Sequence, residues 1–369
     1  MKEKKLTFLP KLTLVLISIV IIGYLARIGQ TILAPLFFSF LMALLFTPFA
    51  NFCERKFYFP RALSTFAALL IMMILIFGLV YFFSTQLSDF ADSFPTLQKQ
   101  ISKSFYNLQI WVAKTFQLNF KSQMDYIDQG LQKLLASSGV ILGFTVSMFS
   151  TMGAFLVFSF LFFIFILNYR SLLYGFICSV FDPKHLIKVH EITEEIQKII
   201  KQYLMGLVIQ IFIASTLTVI LLTVLDVKYA VLLGVLTGLL NVIPYIGIVI
   251  SGLLAGLIAF VTGGDKIILV LMGYVGIHIL DANLVLPLVV GSKVKINALF
   301  TFLGLLIGEA LWGISGMFLS IPFLAILKII FERIEDLKPW GEILGEDSKR
   351  RRLRRRYKIS KHIVLEEKE

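Results

Sequence analysis

The sequence predicts an all-α, polytopic membrane protein, and three observations point that way. Of 369 residues, 58% are hydrophobic and 16% charged, with a mean hydropathy of +0.87; soluble domains run nearer to about 25% charged. Apolar runs of about 20 residues, enough to cross a hydrocarbon core of about 30 Å, recur along the chain. Lys and Arg gather in alternate connections between those runs, as cytoplasmic loops require. The net charge of +12 does not point to nucleic acid, because much of it lies in the tail Lys349–Lys361 and in membrane-flanking segments.

The basic start Met1–Lys11 is followed by an apolar run with no small-residue cleavage site, so Leu12–Ala26 reads as a retained first span that can begin at Phe8. Further spans are predicted at Thr31–Ala50, Ala62–Phe83, Val140–Leu167, Leu204–Leu225 and Ile267–Val290, about six in all. Between the third and fourth, Ser84–Gly139 is polar and carries Leu97, Ile101, Phe105, Leu108 and Val112 at helical spacing, which predicts a helical extramembrane insert. His185–Tyr203 repeats Val189, Ile192, Ile196, Ile199 and Tyr203, an amphipathic helix that either lies on the inner membrane surface or packs on its neighbours. The tail SKRRRLRRRYK reads as a polybasic anchor to lipid headgroups.

Two apolar stretches have the wrong length. Tyr229–Thr262 holds no charge. As one helix it would be roughly 50 Å long, yet it is too short for two spans. Its middle, Asn241-Val-Ile-Pro-Tyr-Ile-Gly247, combines an amide, a proline and a glycine. Such a break in lipid is tolerated only inside protein or beside a wet cavity. Ala298–Phe331 is similar, with Glu309, Gly313 and Pro322 inside it. With the N-terminus cytoplasmic, segments 1–11, 51–61, 168–203, 291–297 and 328–369 are inner and hold 27 of the 35 Lys and Arg. The C-terminus is then cytoplasmic too, and each long stretch enters and leaves on one face. Both are read as re-entrant or broken helical hairpins of opposite orientation, separated by one full span. Eight plain spans are the alternative. Broken helices beside a full span are where secondary transporters place their sites.

The residues that could carry chemistry lie at membrane depth. Asp281 stands about fifteen residues into its span, with His278 and Asn283 close by. A charge there costs about 2.5–3.5 kcal/mol on insertion scales and is usually kept for a bundle interior or a cavity. Pro287 removes a backbone bond and frees a carbonyl near Asn283. An ion, proton or polar-substrate site is one reading; Asp281 pairing with His278 or capping a neighbouring helix is the other. Glu309, near the turn of the second hairpin, is either a proton or cation ligand or an interface residue. Gly234/Gly238, Gly252/Gly256 and Gly304/Gly308 have the small-xxx-small spacing of close helix packing. Gln210 and Asn168 read as helix–helix hydrogen-bonding residues.

No G-x-x-x-x-G-K-[ST] loop, G-x-S-x-G or second histidine for His190-Glu-Ile-Thr-Glu194 is present. Cys53 and Cys178 make no zinc or redox spacing. Neither an enzyme nor an ATP-driven pump is expected, nor a cofactor or a metal site.

The segments NVIPYIG, DANLVLPLVVGSKVKI and LLIGEALWGISGMFLSIPFLAILK, in that order, resemble the AI-2E family of bacterial membrane proteins, the autoinducer-2 exporter and PerM-like permease group. Asp281, Asn283, Pro287 and Gly291 fit its acid-x-N-x-x-x-P-x-x-x-G run. Gly313, Gly316, Met317 and Pro322 fit its G-x-x-G-M…P ending. The chain departs from the pattern at His278, where many members carry glutamine, and at Glu309, where glycine is commoner. The resemblance implies an inner-membrane exporter or permease of a small polar molecule such as autoinducer-2, with sodium/proton exchange in some members, working as a homo-oligomer. An oligomeric channel and a membrane scaffold are the alternatives. The expected substrate or ion ligands are Asn241, Pro244, Gly247, Asp281, Asn283, Pro287, Gly291, Glu309, Gly313 and Gly316. The organisation expected is 1–83 a three-span region, 84–139 the external helical domain, 140–227 two spans with the amphipathic helix, 228–334 the transport core and 335–369 the basic tail.

Overall fold

The structure, a computed structural model, describes residues 8–116, 138–243, 246–263, 266–285 and 296–345. Every regular element among them is helical: α1 (Phe8–Ile28), α2 (Gln30–Lys56), α3 (Arg61–Phe116), α4 (Ser138–Asn168), α5 (Arg170–Val180), α6 (Leu186–Val224), α7 (Ala230–Leu240), α8 (Ile246–Gly263), α9 (Ile267–Leu280), α10 (Ala298–Arg333) and α11 (Lys338–Leu344). Five helical stretches are long and apolar enough to cross a membrane, and the pair α4–α5, bent by 70°, makes a sixth. Only 17–33% of each of the five apolar windows is buried in protein. Leu and Ile side chains exposed at that density are stable in lipid and not in water, so the chain is a multi-pass membrane protein.

Several expected elements run together. The third span and the first part of the polar insert form one helix, α3, 56 residues long, or roughly 84 Å; the rest of the insert, 117–137, lies outside the described residues, as does the basic tail from 346. The amphipathic segment after His185 is continuous with its span in α6. It packs on a neighbour: Arg333, at the end of α10, donates from Nε and Nη2 to Glu195 Oε2 at 3.0 and 2.6 Å, and from Nη1 to Glu191 at 3.3 Å. The element turned away from its span is instead α5.

Among the described residues the chain forms two interleaved compact units, one drawn from 1–45, 165–204 and 292–369, the other from 46–164 and 205–291. Each contains one broken apolar stretch. In the second unit, α7 ends at Leu240, capped by Asn241, and α8 begins at Ile246. Gly247 sits against the Leu240 carbonyl so closely that a Cβ would overlap it. At the other end, Lys266 pairs with Asp226 at 3.7 Å, joining the connection before α7 to the one after α8. The stretch therefore begins and ends at one side of its unit. Leu222, Leu233, Ile248, Ala255, Ala259, Val270 and Tyr274 form the buried core around it. Gly234 and Gly238 lie against the α6 backbone at Ser215 and Ile211, the close approach their spacing predicts.

In the first unit, α10 folds back on itself. Trp312 and Gly313 leave the helical region, Gly313 with φ +61° and ψ −141°, a conformation open essentially to glycine alone. The arms then stack: Gly308 and Gly316 face each other carbonyl to Cα, with no room for a Cβ on either. Ser320 Oγ lies 2.8 Å from Gly304 O on the opposite arm and 2.6 Å from Gly316 O on its own. The start of α10 is tied to the segment after its end, since Asn297 N donates to Leu344 O at 2.8 Å.

Candidate functional site

The break in the second unit brings three helices to one carboxylate. Asp281 ends the regular part of α9 and opens a π turn, Asp281–Val285, which stops two residues before Pro287 in sequence. A π turn widens the backbone spiral and recurs at functional sites. Asp281 is 8% exposed. Its Oδ2 accepts two hydrogen bonds, from Gln210 Nε2 of α6 at 2.9 Å and from Asn241 Nδ2 at the end of α7 at 3.0 Å. Two amide donors from different helices thus converge on one carboxylate oxygen. Oδ1 is buried with no partner among the described residues, and so is His278 Nδ1.

A second polar contact braces the first. Thr237, one turn before Asn241, lies 2.9 Å from the Tyr274 hydroxyl, one turn before His278. Thr237 Oγ1 also bonds the Leu233 carbonyl at 2.7 Å. This buried pair ties α7 to α9 beside the carboxylate and holds Asn241 in reach of it.

The predicted residues divide. Asn241 and Asp281 meet. Asn283 does not join them: its Nδ2 donates to Ile279 O at 2.8 Å and the residue is exposed. Two residues along a helix is more than half a turn, so Asp281 and Asn283 face apart. The alternative reading, an Asp281–His278 pair, is not formed; the two amides take that place. Gly247 serves the turn by its lack of a Cβ. Glu309, Gly313 and Gly316 belong to the other unit, where Glu309 is exposed and lines a cavity of about 460 Å³ with Tyr24, Arg27 and Gln30. Pro244, Pro287 and Gly291 lie outside the described residues. Gln210, read from sequence as a helix-packing amide, is the ligand to Asp281 that spacing could not assign, because its partner is 71 residues away. Among the described residues no group of three His, Cys, Asp or Glu gathers as metal ligands would.

Comparison with known proteins identifies the family of the chain. The profile described as AI-2E family transporter matches residues 15–336. YhhT of Escherichia coli (strain K12), which bears a transport-protein name, is 24% identical over 92% of this chain and 95% of its own. YueF of Bacillus subtilis (strain 168), also named for transport, is 23% identical over 83% of this chain and 85% of its own. Two more similar matches are partial. YrrI of Bacillus subtilis is 31% identical, but over 36% of its length. The AI-2 transport protein TqsA of Escherichia coli is 36% identical over 33% of its length. A profile match over most of the chain, on a helical membrane fold, identifies this protein as a member of the AI-2E transporter family, a transport protein and not an enzyme.

Proposed function

We propose that the protein is a secondary transporter whose ion or substrate centre is Asp281, with Gln210 and Asn241 as its holders. The observation that carries this reading is a buried carboxylate at a helix break, fastened through one oxygen and free at the other. The free Oδ1 takes a proton or a cation. Backbone carbonyls at the π turn and at the end of α7 offer acceptors to a polar cargo. The family pattern adds Pro244, Pro287 and Gly291 to the expected site. The charge asymmetry of the connections supports re-entrant hairpins of opposite orientation, cytoplasmic termini and a bacterial inner-membrane setting. The family resemblance supports a homo-oligomer. The partial likeness to a protein named for AI-2 transport supports a small polar cargo of that type. A lone carboxylate with one free oxygen equally suits sodium/proton exchange, the second reading.

Flux through proteoliposomes under imposed sodium and proton gradients, across a panel of polar solutes, separates these readings. Asp281→Asn keeps the hydrogen-bonding shape and removes the charge. Gradient-driven flux is expected to vanish while the folded protein persists on size exclusion. Wild-type flux in the folded variant would remove Asp281 from the mechanism.

A further inference from the structure

We infer, on the reading of Asp281 as the transport centre, that His278 is its proton carrier and that the ion handled there is a proton. Two unpartnered atoms lead to this. Asp281 Oδ1 and His278 Nδ1 are both buried, and neither has a hydrogen-bond partner among the described residues. Buried side-chain polar atoms are nearly always paired, so two such atoms on one helix call for a common cause.

The helix brings them to one face. Residues three apart on an α-helix are surface neighbours. His278 stands in the last turn of α9, and Asp281 keeps helical φ and ψ, −61° and −52°, with its N–H on the carbonyls of Ile277 and His278. The regular spacing therefore runs through both residues. Gln210 and Asn241 occupy Oδ2 and leave Oδ1 open. His278 is half-buried, so it reaches from the buried carboxylate toward the surface of its unit.

No fixed cation on the surrounding helices balances this carboxylate. Leu221 of α6 fills the space beside Gly273 of α9, Thr237 of α7 meets Tyr274, and Gly252 of α8 lies against the Tyr274 ring. Residues 205–224 of α6, and all of α7 and α8, contain no Asp, Glu, Lys, Arg, His, Tyr or Cys. The other titratable side chain of α9 is Tyr274, whose hydroxyl is held by Thr237. His278 is thus the one side chain on these stretches able to take a positive charge.

The chemistry of the two atoms selects the ion. With its own proton on Nε2, the neutral imidazole presents Nδ1 as an acceptor, and Oδ1 is an acceptor too. One proton joins two acceptors. A hard cation such as sodium takes several oxygens and suits imidazole poorly. Gln210 and Asn241 turn N–H groups, not oxygens, to the carboxylate. Loading adds one proton to Nδ1, and the imidazolium N–H then donates to Oδ1. The pair passes from one negative charge to none. Transfer of that proton to Oδ1 leaves neutral imidazole and neutral acid, unloading is the reverse, and no other reactant is consumed. Side-chain relays of this kind carry protons through membrane pumps and transporters.

The test is infrared difference spectroscopy of the full-length protein in liposomes, between acid and alkaline buffer. Subtracting the Asp281→Asn spectrum isolates the carboxylic C=O band of Asp281, and subtracting the His278→Gln spectrum isolates the bands of that imidazole. Both should appear on acidification of the wild type. His278→Gln should shift the Asp281 band, and Asp281→Asn should shift the imidazole bands. Two groups that respond independently of each other, or not at all, would overturn the pair. A measurement on the wild type alone covers the case in which His278→Gln does not fold: replacing choline by sodium at constant acid pH should remove no carboxylic C=O intensity. Loss of that intensity to sodium would make the centre a metal-ion site, rejecting the proton while keeping Asp281. Wild-type flux in folded Asp281→Asn is a separate outcome, which removes the centre and the pair together.

Discussion

The two broken stretches end a helix in apolar surroundings by different means. In the first, α7 and α8 part over several residues, and the amide at the break, Asn241, is spent on Asp281 of the adjoining span. In the second, the break is confined to Trp312 and Gly313, and the arms satisfy each other through Ser320 and bare glycine backbone. The first hairpin therefore depends on a neighbour's charge. The second is braced by its own packing and by one indole bond to α1. A polar break is a candidate site where its groups are turned outward to other helices, and a structural joint where they are turned inward.

That contrast can be broken most forcefully at Gly316. Gly316→Val puts branched carbons into the Gly308 carbonyl, a backbone contact that cannot yield. The cost should exceed the ~1–3 kcal/mol of ordinary overpacking, and fluorescence-detected size exclusion should show loss of the monodisperse peak. Asn241→Leu, at the corresponding break of the first hairpin, should leave that peak in place.

The next effect concerns the site. Gln210→Leu removes one of two donors to Asp281 Oδ2, a loss of about 1.5–3 kcal/mol. Concentration dependence of flux in proteoliposomes should show cation affinity reduced by about tenfold or more. Combining it with Asn241→Leu should deviate from additivity, because both donors serve one oxygen. Simple additivity would mean the amides act independently of the carboxylate.

The smallest effect is expected at Asn283, although it stands in the family motif. Its side chain is exposed and bonded to its own helix, so Asn283→Ala should shift unfolding by no more than about 0.5 kcal/mol and leave flux at the wild-type level. A large loss of flux would show that Asn283 turns toward the cargo during the cycle.

Much of this was legible in the sequence. The excess of apolar residues, the two stretches of wrong length and the acid inside a span are local facts, and each has a local physical cause. Proline and glycine interrupt a helix wherever they stand, and an interruption in lipid must be buried. What spacing could not decide was facing. His278 lies one turn from Asp281 and is not bonded to it, whereas Gln210 on another helix is. Glu309 shares a motif region with Gly313 and Gly316 but points to Arg27's cavity.

The sequence by itself determined the membrane class, the positions of the breaks and the presence of one costly acid, because hydropathy and backbone chemistry act residue by residue. Only the tertiary structure decided which polar groups meet. The contacts that define the site join residues 71 and 40 apart. Which face each helix turns inward depends on how glycines such as Gly238 and Gly247 let neighbouring backbones approach.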